Sequence, residues 1–420
     1  MVGAVLILVV LALVGVPLFV VLAAGGLLAS YSADISPDIL IIEMNRLASS
    51  PNMIAIPLFT FAGVLMSNGG APDRLVNFYR AAFGWMPGGL AIVTLGACAF
   101  FTSYSGASGV TILALGGLLY PMLVGEGYRE RFSLGLLTTS GSLGLLFPPS
   151  LAILVYGIVA GVSIEQMFFA GIVPGTLLMI ILAVYSMIQG NKLGVVKQEF
   201  DFNTLRTTAR VAIWDIFLPV AIIVGIFGGF VSIMEAAAAT AAYVMFVEMV
   251  IFRKISVTNQ FYALLVESCI LFGSLLAILL VALGMTNLMI DAQLPMQMLE
   301  FLEQHIDNKL GFLILLNIFL LVVGAMMDIF SAIIVVVPLI LPLAARYGVD
   351  PVHLGIIFLA NLEIGYSTPP VGINLFIASQ RFGKSIVTLF KSTLPFLVLM
   401  IFWLMLVTYM PELSLWWQKE

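Results

Sequence analysis

Apolar runs separated by short polar interruptions extend along the whole chain. The first, residues 2–29, has no charged side chain. That length fits an uncleaved membrane span better than a signal peptide's core, with Pro17 expected to kink it. A polar loop with Asp34, Asp38, Glu43 and Arg46 follows, then a span at 52–69 and a loop holding Asp73, Arg74 and Arg80. The block 86–123 is interrupted at 102–109 by TSYSGASG. Each side falls short of the roughly 20 residues of a comfortable crossing, which predicts a re-entrant helical hairpin. Beyond a segment at 132–161 come a span at 167–189, a polar connection at 190–210, and spans at 212–230, 233–252 and 261–290. An acidic loop at 291–309 precedes a second interrupted block, 310–345, broken by GAMMDIFSA at 324–332. A segment at 353–380 and a last span at 387–410 complete the pattern.

The segments 132–161 and 353–380 share an unusual interior. The second reads HLGIIFLANLEIGYSTPPVGINLFIASQ, apolar at both ends, with Asn361, Glu363, Gly365, Ser367, Thr368, Pro369 and Pro370 in the middle. The first carries TTSGSLGLLFPPS. A proline pair removes two backbone donors and bars the preceding residue from helical geometry. Carbonyls freed at membrane depth cost several kcal/mol each unless they line a polar cavity. Each segment is therefore either a helix opened around a site for an ion or small polar solute, or a proline kink packed against its neighbours.

The two stretches are copies. Pro148 and Pro149 lie 221 positions before Pro369 and Pro370 (369 − 148 = 221), and the same shift pairs Gly144 with Gly365, Gly127 with Gly348, Pro121 with Pro342 and Gly63 with Gly284. Five crossings separate the copies, an odd number, so the second enters from the opposite face. The reading is an all-α polytopic membrane protein built as an inverted repeat with two re-entrant hairpins and two broken helices. Its parts are an N-terminal scaffold span and outer loop (1–51), a first repeat (52–189), a linker with central scaffold spans (190–260), a second repeat (261–410) and a tail (411–420). Of the 17 Lys and Arg residues, only Arg46, Lys309, Arg346 and Lys419 fall on the outer face in this count. The other thirteen place the N-terminus in the cytoplasm and the C-terminus outside.

Composition agrees. The chain is 62% hydrophobic and 9% charged, against roughly 25% charged in soluble domains. Cys98 and Cys269 both sit in apolar runs, and no disulfide framework is expected. ASQRFGKS at 378–385 approximates a phosphate-binding loop, but Ala378 replaces the first glycine and no strand precedes it. Energy is thus expected from an ion gradient rather than ATP. No cofactor, transition-metal site or nucleic-acid partner is expected, and His305 and His353 are given no role. An intramembrane enzyme would need a nucleophile beside a base, and neither cysteine has an evident histidine.

The candidate chemistry sits at the hairpin tips. Thr102, Ser103, Tyr104, Ser105 and Ser108 offer neutral hard oxygens suited to sodium, and a half-helix starting at the tip aims its positive end at an anion. Close helix packing by small residues explains the same run structurally. In the second tip, Asp328 is a costly carboxylate in an apolar block, so it is a site candidate by default; the other reading is a cap on the returning helix. Glu363 is read either as bonding free backbone donors at the break or as touching a ligand. Asp215, Glu235, Glu248 and Glu267, near span ends, are expected to be solvated or paired with basic residues.

The runs GLLFPPSLAILVYG, MDIFSAIIVVVPLILPLA and VDPVHLGIIFLANLEIGYSTPPVGINLF, together with IPLFTFAGVLM and SYSGASGVT, resemble the large membrane subunit of tripartite ATP-independent periplasmic (TRAP) transporters. The resemblance covers nearly the whole chain. It implies an elevator-type, sodium-driven importer of an organic acid in a bacterial inner membrane. Its partners would be a small four-helix membrane subunit and a periplasmic solute-binding protein. It further implies one sodium site at Ser103, Ser108, Gly144, Phe147 and Pro149, a second at Gly324, Asp328, Gly365 and Thr368, and substrate near Ser105, Ser108, Ser150 and Asn361. Two departures touch those motifs: Ile329, Phe330 and Ser331 follow Asp328 where many relatives have proline and threonine, and Ala107 stands where serine is common. A stand-alone sodium- or proton-coupled carrier of the wider superfamily is the alternative.

Overall fold

In hydrocarbon a backbone must satisfy its own hydrogen bonds, and a helix does so within one segment. The computed structural model follows that rule: among the described residues, every regular element is helical. It describes residues 7–8, 10–11, 16–32, 36, 38–49, 51–195, 199–256, 260–291, 306 and 308–418. Most of the acidic connection 291–309, with His305, and Lys197 and Lys419 among the basic residues lie outside them.

Helix α1 (Leu18–Ser32) belongs to the first apolar run. The expected polar loop after it contains a helix, α2 (Asp38–Ala48), because its polar residues alternate with Ile and Leu on an amphipathic turn. α3 (Ala55–Asn68) is the next span. The expected loop with Asp73, Arg74 and Arg80 is likewise helical, α4 (Ala71–Phe83). The first hairpin is α5 (Gly89–Ser105) and α6 (Ser108–Gly125). The first broken helix is α7 (Glu130–Ser140), a tight turn at Leu143–Leu146, and α8 (Leu151–Ala160). Its halves meet at a 47° bend. Long helices α9 (Ile164–Leu193), α10 (Phe202–Phe227) and α11 (Ile233–Phe246) follow, so the polar connection after α9 is shorter than its composition predicts. α12 (Phe261–Asp291) leads to the second hairpin, α13 (Lys309–Met326) and α14 (Ile329–Arg346). The second broken helix is α15 (Pro351–Gly365) and α16 (Ile373–Phe382), and α17 (Ile386–Tyr409) is the last span.

The repeat read from glycines and prolines recurs in the elements. Both ends of α6 are displaced by 221 residues to give those of α14 (329 − 108 and 346 − 125). The remaining hairpin arms agree within one residue. Pro148–Pro149 and Pro369–Pro370 both adopt the cis form. The repeats exchange partners: α6 packs on α16, and α14 packs on α8. Each hairpin thus returns against the second half of the other repeat's broken helix.

Hydrogen bonds fix each tip against a broken helix. Thr102 Oγ1, near the end of α5, donates to the Gly141 carbonyl at 2.6 Å. The Val371 and Gly372 amides both donate to the Ala325 carbonyl, at 3.1 and 3.0 Å. Each tip is therefore held at the break of a broken helix. The hairpin arms are 17 or 18 residues long, roughly 27 Å at 1.5 Å per residue.

Candidate functional site

Two joints, one per repeat, form where a hairpin's first arm meets its own broken helix. In the first, Gly144 lies against α5: a Cβ there would stand 2.2 Å from the Ala99 carbonyl oxygen and 2.3 Å from the Ser103 amide nitrogen. In the second, a Cβ on Gly365 would stand 2.4 Å from the Gly324 carbonyl carbon. Ser103 and Gly324 are themselves 221 positions apart. The fold thus brings together Ser103 with Gly144, and Gly324 with Gly365, in equivalent places. Only glycine permits these approaches, which leave main-chain oxygens and amides near the tips.

The first joint is rich in hydroxyls. Thr102 Oγ1 lies 2.8 Å from Thr111 Oγ1, and Ser103 Oγ donates to the Phe100 carbonyl at 2.8 Å. Phe147 and Ser103 line one side of an apolar cavity of about 420 Å³ between α5, α9 and α10. The turn closes through the Ser150 amide, which donates to the Phe147 carbonyl at 3.0 Å across Pro148 and Pro149. Ser150 is fully buried, and its hydroxyl has no hydrogen-bond partner among the described residues. Ser105, half-buried at the tip, donates to the Ala107 carbonyl at 3.3 Å. Ser108 reaches across the repeats: its hydroxyl donates to Asn374 Oδ1 at 2.6 Å.

The second joint is built differently. Asp328 caps α14, accepting from the Phe330 and Ser331 amides at 3.0 and 3.1 Å and from the Ser331 hydroxyl. Its carboxylate is exposed, so the capping role leaves oxygen lone pairs open at the tip. Thr368 Oγ1 donates to the Ile364 carbonyl at 2.9 Å and its amide to the Gly365 carbonyl at 2.9 Å, tightening the end of α15. Gly372 takes φ +55°, with a Cβ position 2.8 Å from the Thr368 carbonyl oxygen, which restricts the turn into α16 to glycine.

Asn361 turns toward α13. Its Nδ2 donates to Asn317 Oδ1 at 2.7 Å, and Asn317 in turn donates to Thr408 at 3.2 Å. The residue that meets Ser108 is Asn374, an amide in the otherwise apolar first turns, Ile373–Ala378, of the half-helix. That isolation in PPVGINLF was the available signal, and sequence reasoning passed over it. Of the two readings of Glu363, the bonding of free backbone donors is not seen: it is fully buried, and neither carboxyl oxygen has a partner among the described residues.

The expected pairing of span-end carboxylates does occur for Asp215 and Glu248. Arg74 Nε and Nη2 donate to the two Asp215 oxygens at 2.7 and 2.6 Å, and Nη2 also donates to Glu248. Glu248 Oε2 accepts from the Gly70 amide at 2.9 Å, and the guanidinium lies 4.0 Å above the Phe252 ring. Glu235 instead forms a capping box with Ser232 at the start of α11.

This arrangement has counterparts. Residues 5–413 match the family model described as "Tripartite ATP-independent periplasmic transporter, DctM component". The chain belongs to that family. It is 36% identical over 94% of its length to the isethionate TRAP transporter permease protein DctMQ of Oleidesulfovibrio alaskensis, of whose length it spans 61%. It is 35% identical to the C4-dicarboxylate TRAP transporter large permease protein DctM of Vibrio cholerae, over 89% of this chain and 86% of that one. Among solved structures it is similar in fold to the Alcanivorax borkumensis YdaH transporter, with TM-score 0.60, 14% identity and coverage of 90% and 88%. The DctM-family chain is thus a multi-pass membrane transporter subunit and not an enzyme.

Proposed function

We propose that this DctM-family subunit imports an organic anion, coupled to sodium, across a bacterial inner membrane. A periplasmic solute-binding protein delivers the substrate, and a small four-helix membrane subunit braces the scaffold spans. The N-terminus is cytoplasmic and the C-terminus periplasmic. The hairpins and broken helices move together, in elevator fashion, against the remaining helices.

The observation that carries this reading is the pair of equivalent glycine-lined joints, Ser103–Gly144 and Gly324–Gly365. Neutral hydroxyl and carbonyl oxygens gathered at a helix break, with half-helix ends close by, suit a hard monovalent cation and an anionic solute together. One sodium ion is assigned to Ser103, Ser108, Gly144, Phe147 and Pro149. A second is assigned to Gly324, Asp328, Gly365 and Thr368. The substrate is assigned to the space near Ser105, Ser108, Ser150 and Asn361. The relatives' names, isethionate and C4-dicarboxylate permeases, support a small organic anion.

The test is uptake into proteoliposomes holding this chain and its small subunit. A panel of labelled sulfonates, dicarboxylates and sugar acids is offered with and without the cognate periplasmic binding protein. Uptake of one acid that requires the binding protein is expected. Uptake of that acid at the same rate without it would overturn the three-component reading in favour of a stand-alone carrier.

A further inference from the structure

We infer that Asn374 is a positioning residue for the coupling cation at the first hairpin, acting through the hydroxyl of Ser108. The inference rests on the sodium reading above and deepens it. Asn374 is fully buried and Ser108 nearly so, at 0% and 4% exposure. The Asn374 side-chain nitrogen lies 3.3 Å from the Thr138 carbonyl, and its backbone amide donates to the Tyr366 carbonyl at 3.0 Å. A main-chain carbonyl can only accept, so the amide's NH₂ end must face Thr138. Its oxygen must then face Ser108. Ser108 is therefore the donor in the 2.6 Å bond between them.

A hydroxyl has one proton and two lone pairs. With its proton committed to Asn374, Ser108 presents only lone pairs at the hairpin tip. An oxygen fixed in that state is a ready ligand for a hard cation. A hydroxyl free to rotate would turn its proton inward as easily. Asn374 thereby ties together three elements of the site: the first hairpin, the first broken helix through Thr138, and the second broken helix on which it sits.

The repeat itself argues against a purely packing role. The shift of 221 takes Ser108 to Ile329 and Asn374 back to Ile153 (374 − 221 = 153). Those isoleucines are 3% and 0% exposed on α14 and α8, which pack on each other. At the equivalent positions of the other repeat the fold thus has two buried apolar residues. The polar pair is a local addition at the first hairpin.

The experiment follows the thermal stability of the full chain, purified from membranes, as sodium replaces choline at constant ionic strength. Bound ion stabilises the folded state by RT ln(1 + [Na⁺]/Kd), so fitting the titration yields the sodium half-saturation concentration without any organic substrate. Asn374→Ala is expected to raise that value about tenfold, a 1.4 kcal/mol effect, and Ser108→Ala to do the same. The double variant is expected to match the single ones, because the two residues act as one unit. Should Asn374→Ala not fold, Ser108→Ile with Asn374→Ile installs the isoleucines that stand at the equivalent positions of the other repeat; it is expected to fold, melt normally in choline and lose the part of the sodium stabilisation that the first site contributes. An unchanged half-saturation in Asn374→Ala, or in the isoleucine pair, would reduce Asn374 to packing. Additive effects in the double variant would overturn action through Ser108. Absence of sodium stabilisation in the wild type would instead overturn the sodium reading and this inference with it.

Discussion

At the scale of single residues, glycines decide where the chain can open. Gly144 and Gly365 let a hairpin arm approach to distances that no Cβ tolerates. Gly125, at the far end of α6, has nothing within 4 Å of its Cβ position. Gly144→Ala and Gly365→Ala are therefore expected to destabilise the protein by about 1–3 kcal/mol through overpacking. Both are expected to lose uptake, since the tip must shift away from the break. Gly125→Ala is expected to leave melting and uptake unchanged. Thermal unfolding of the three purified variants checks the order; equal melting temperatures would remove the close approach from the account. Polar residues divide less visibly. Ser150, Glu363 and Ser367 are buried with side-chain oxygens unpartnered among the described residues, whereas Asp328 is exposed and caps a helix. Their side chains in the sequence give no sign of that difference, because it depends on which way a turn points them.

At the scale of elements, periodicity and punctuation carried far. The proline pairs marked both breaks, and the offset of 221 between them recurs in the ends of α6 and α14. Runs such as TSYSGASG located the tips, because a small polar run between two short apolar arms leaves a hairpin little alternative. What stayed illegible were short amphipathic helices. α2 and α4 read as loops because their charges are dense, and only a neighbour reveals which face is covered. In α4 that neighbour is α10, and Arg74 is the link. It closes a buried cluster with Asp215 and Glu248 that pins α4 to α10 and to the end of α11. Removing one partner of a buried ion pair leaves an uncompensated charge, at a cost of about 3–5 kcal/mol. Arg74→Met is expected to lower abundance in the membrane and the melting temperature accordingly. Arg74→Lys is expected to rescue only in part, because an ammonium cannot bond Asp215 with two parallel N–H groups. Full rescue by lysine would show that charge alone holds the cluster.

At the scale of the whole molecule, the two repeats are interleaved rather than stacked. α6 rests on α16 and α14 on α8, so both tips and both breaks belong to one structural core. Around it, helices such as α10 present an apolar outer stripe, with Ile213, Phe217, Val220 and Val224 exposed at helical spacing. That division between a polar-centred core and apolar-surfaced helices is what the proposed movement of one against the other requires. The sequence could announce the repeat, because glycine and proline spacing survives divergence of the apolar residues. It could not announce the exchange of partners between repeats, or the Ser108–Asn374 contact that crosses 266 positions of chain, since no local pattern encodes a contact of that span. The central claim, that this core couples an organic anion to sodium, is tested most directly by proteoliposome uptake of the acid identified with the binding protein, at zero membrane potential. An inward sodium gradient is expected to drive the acid above equilibrium, and equal sodium on both sides is expected to abolish accumulation. Accumulation that persists with sodium equalised, or with sodium replaced by choline, would contradict the account.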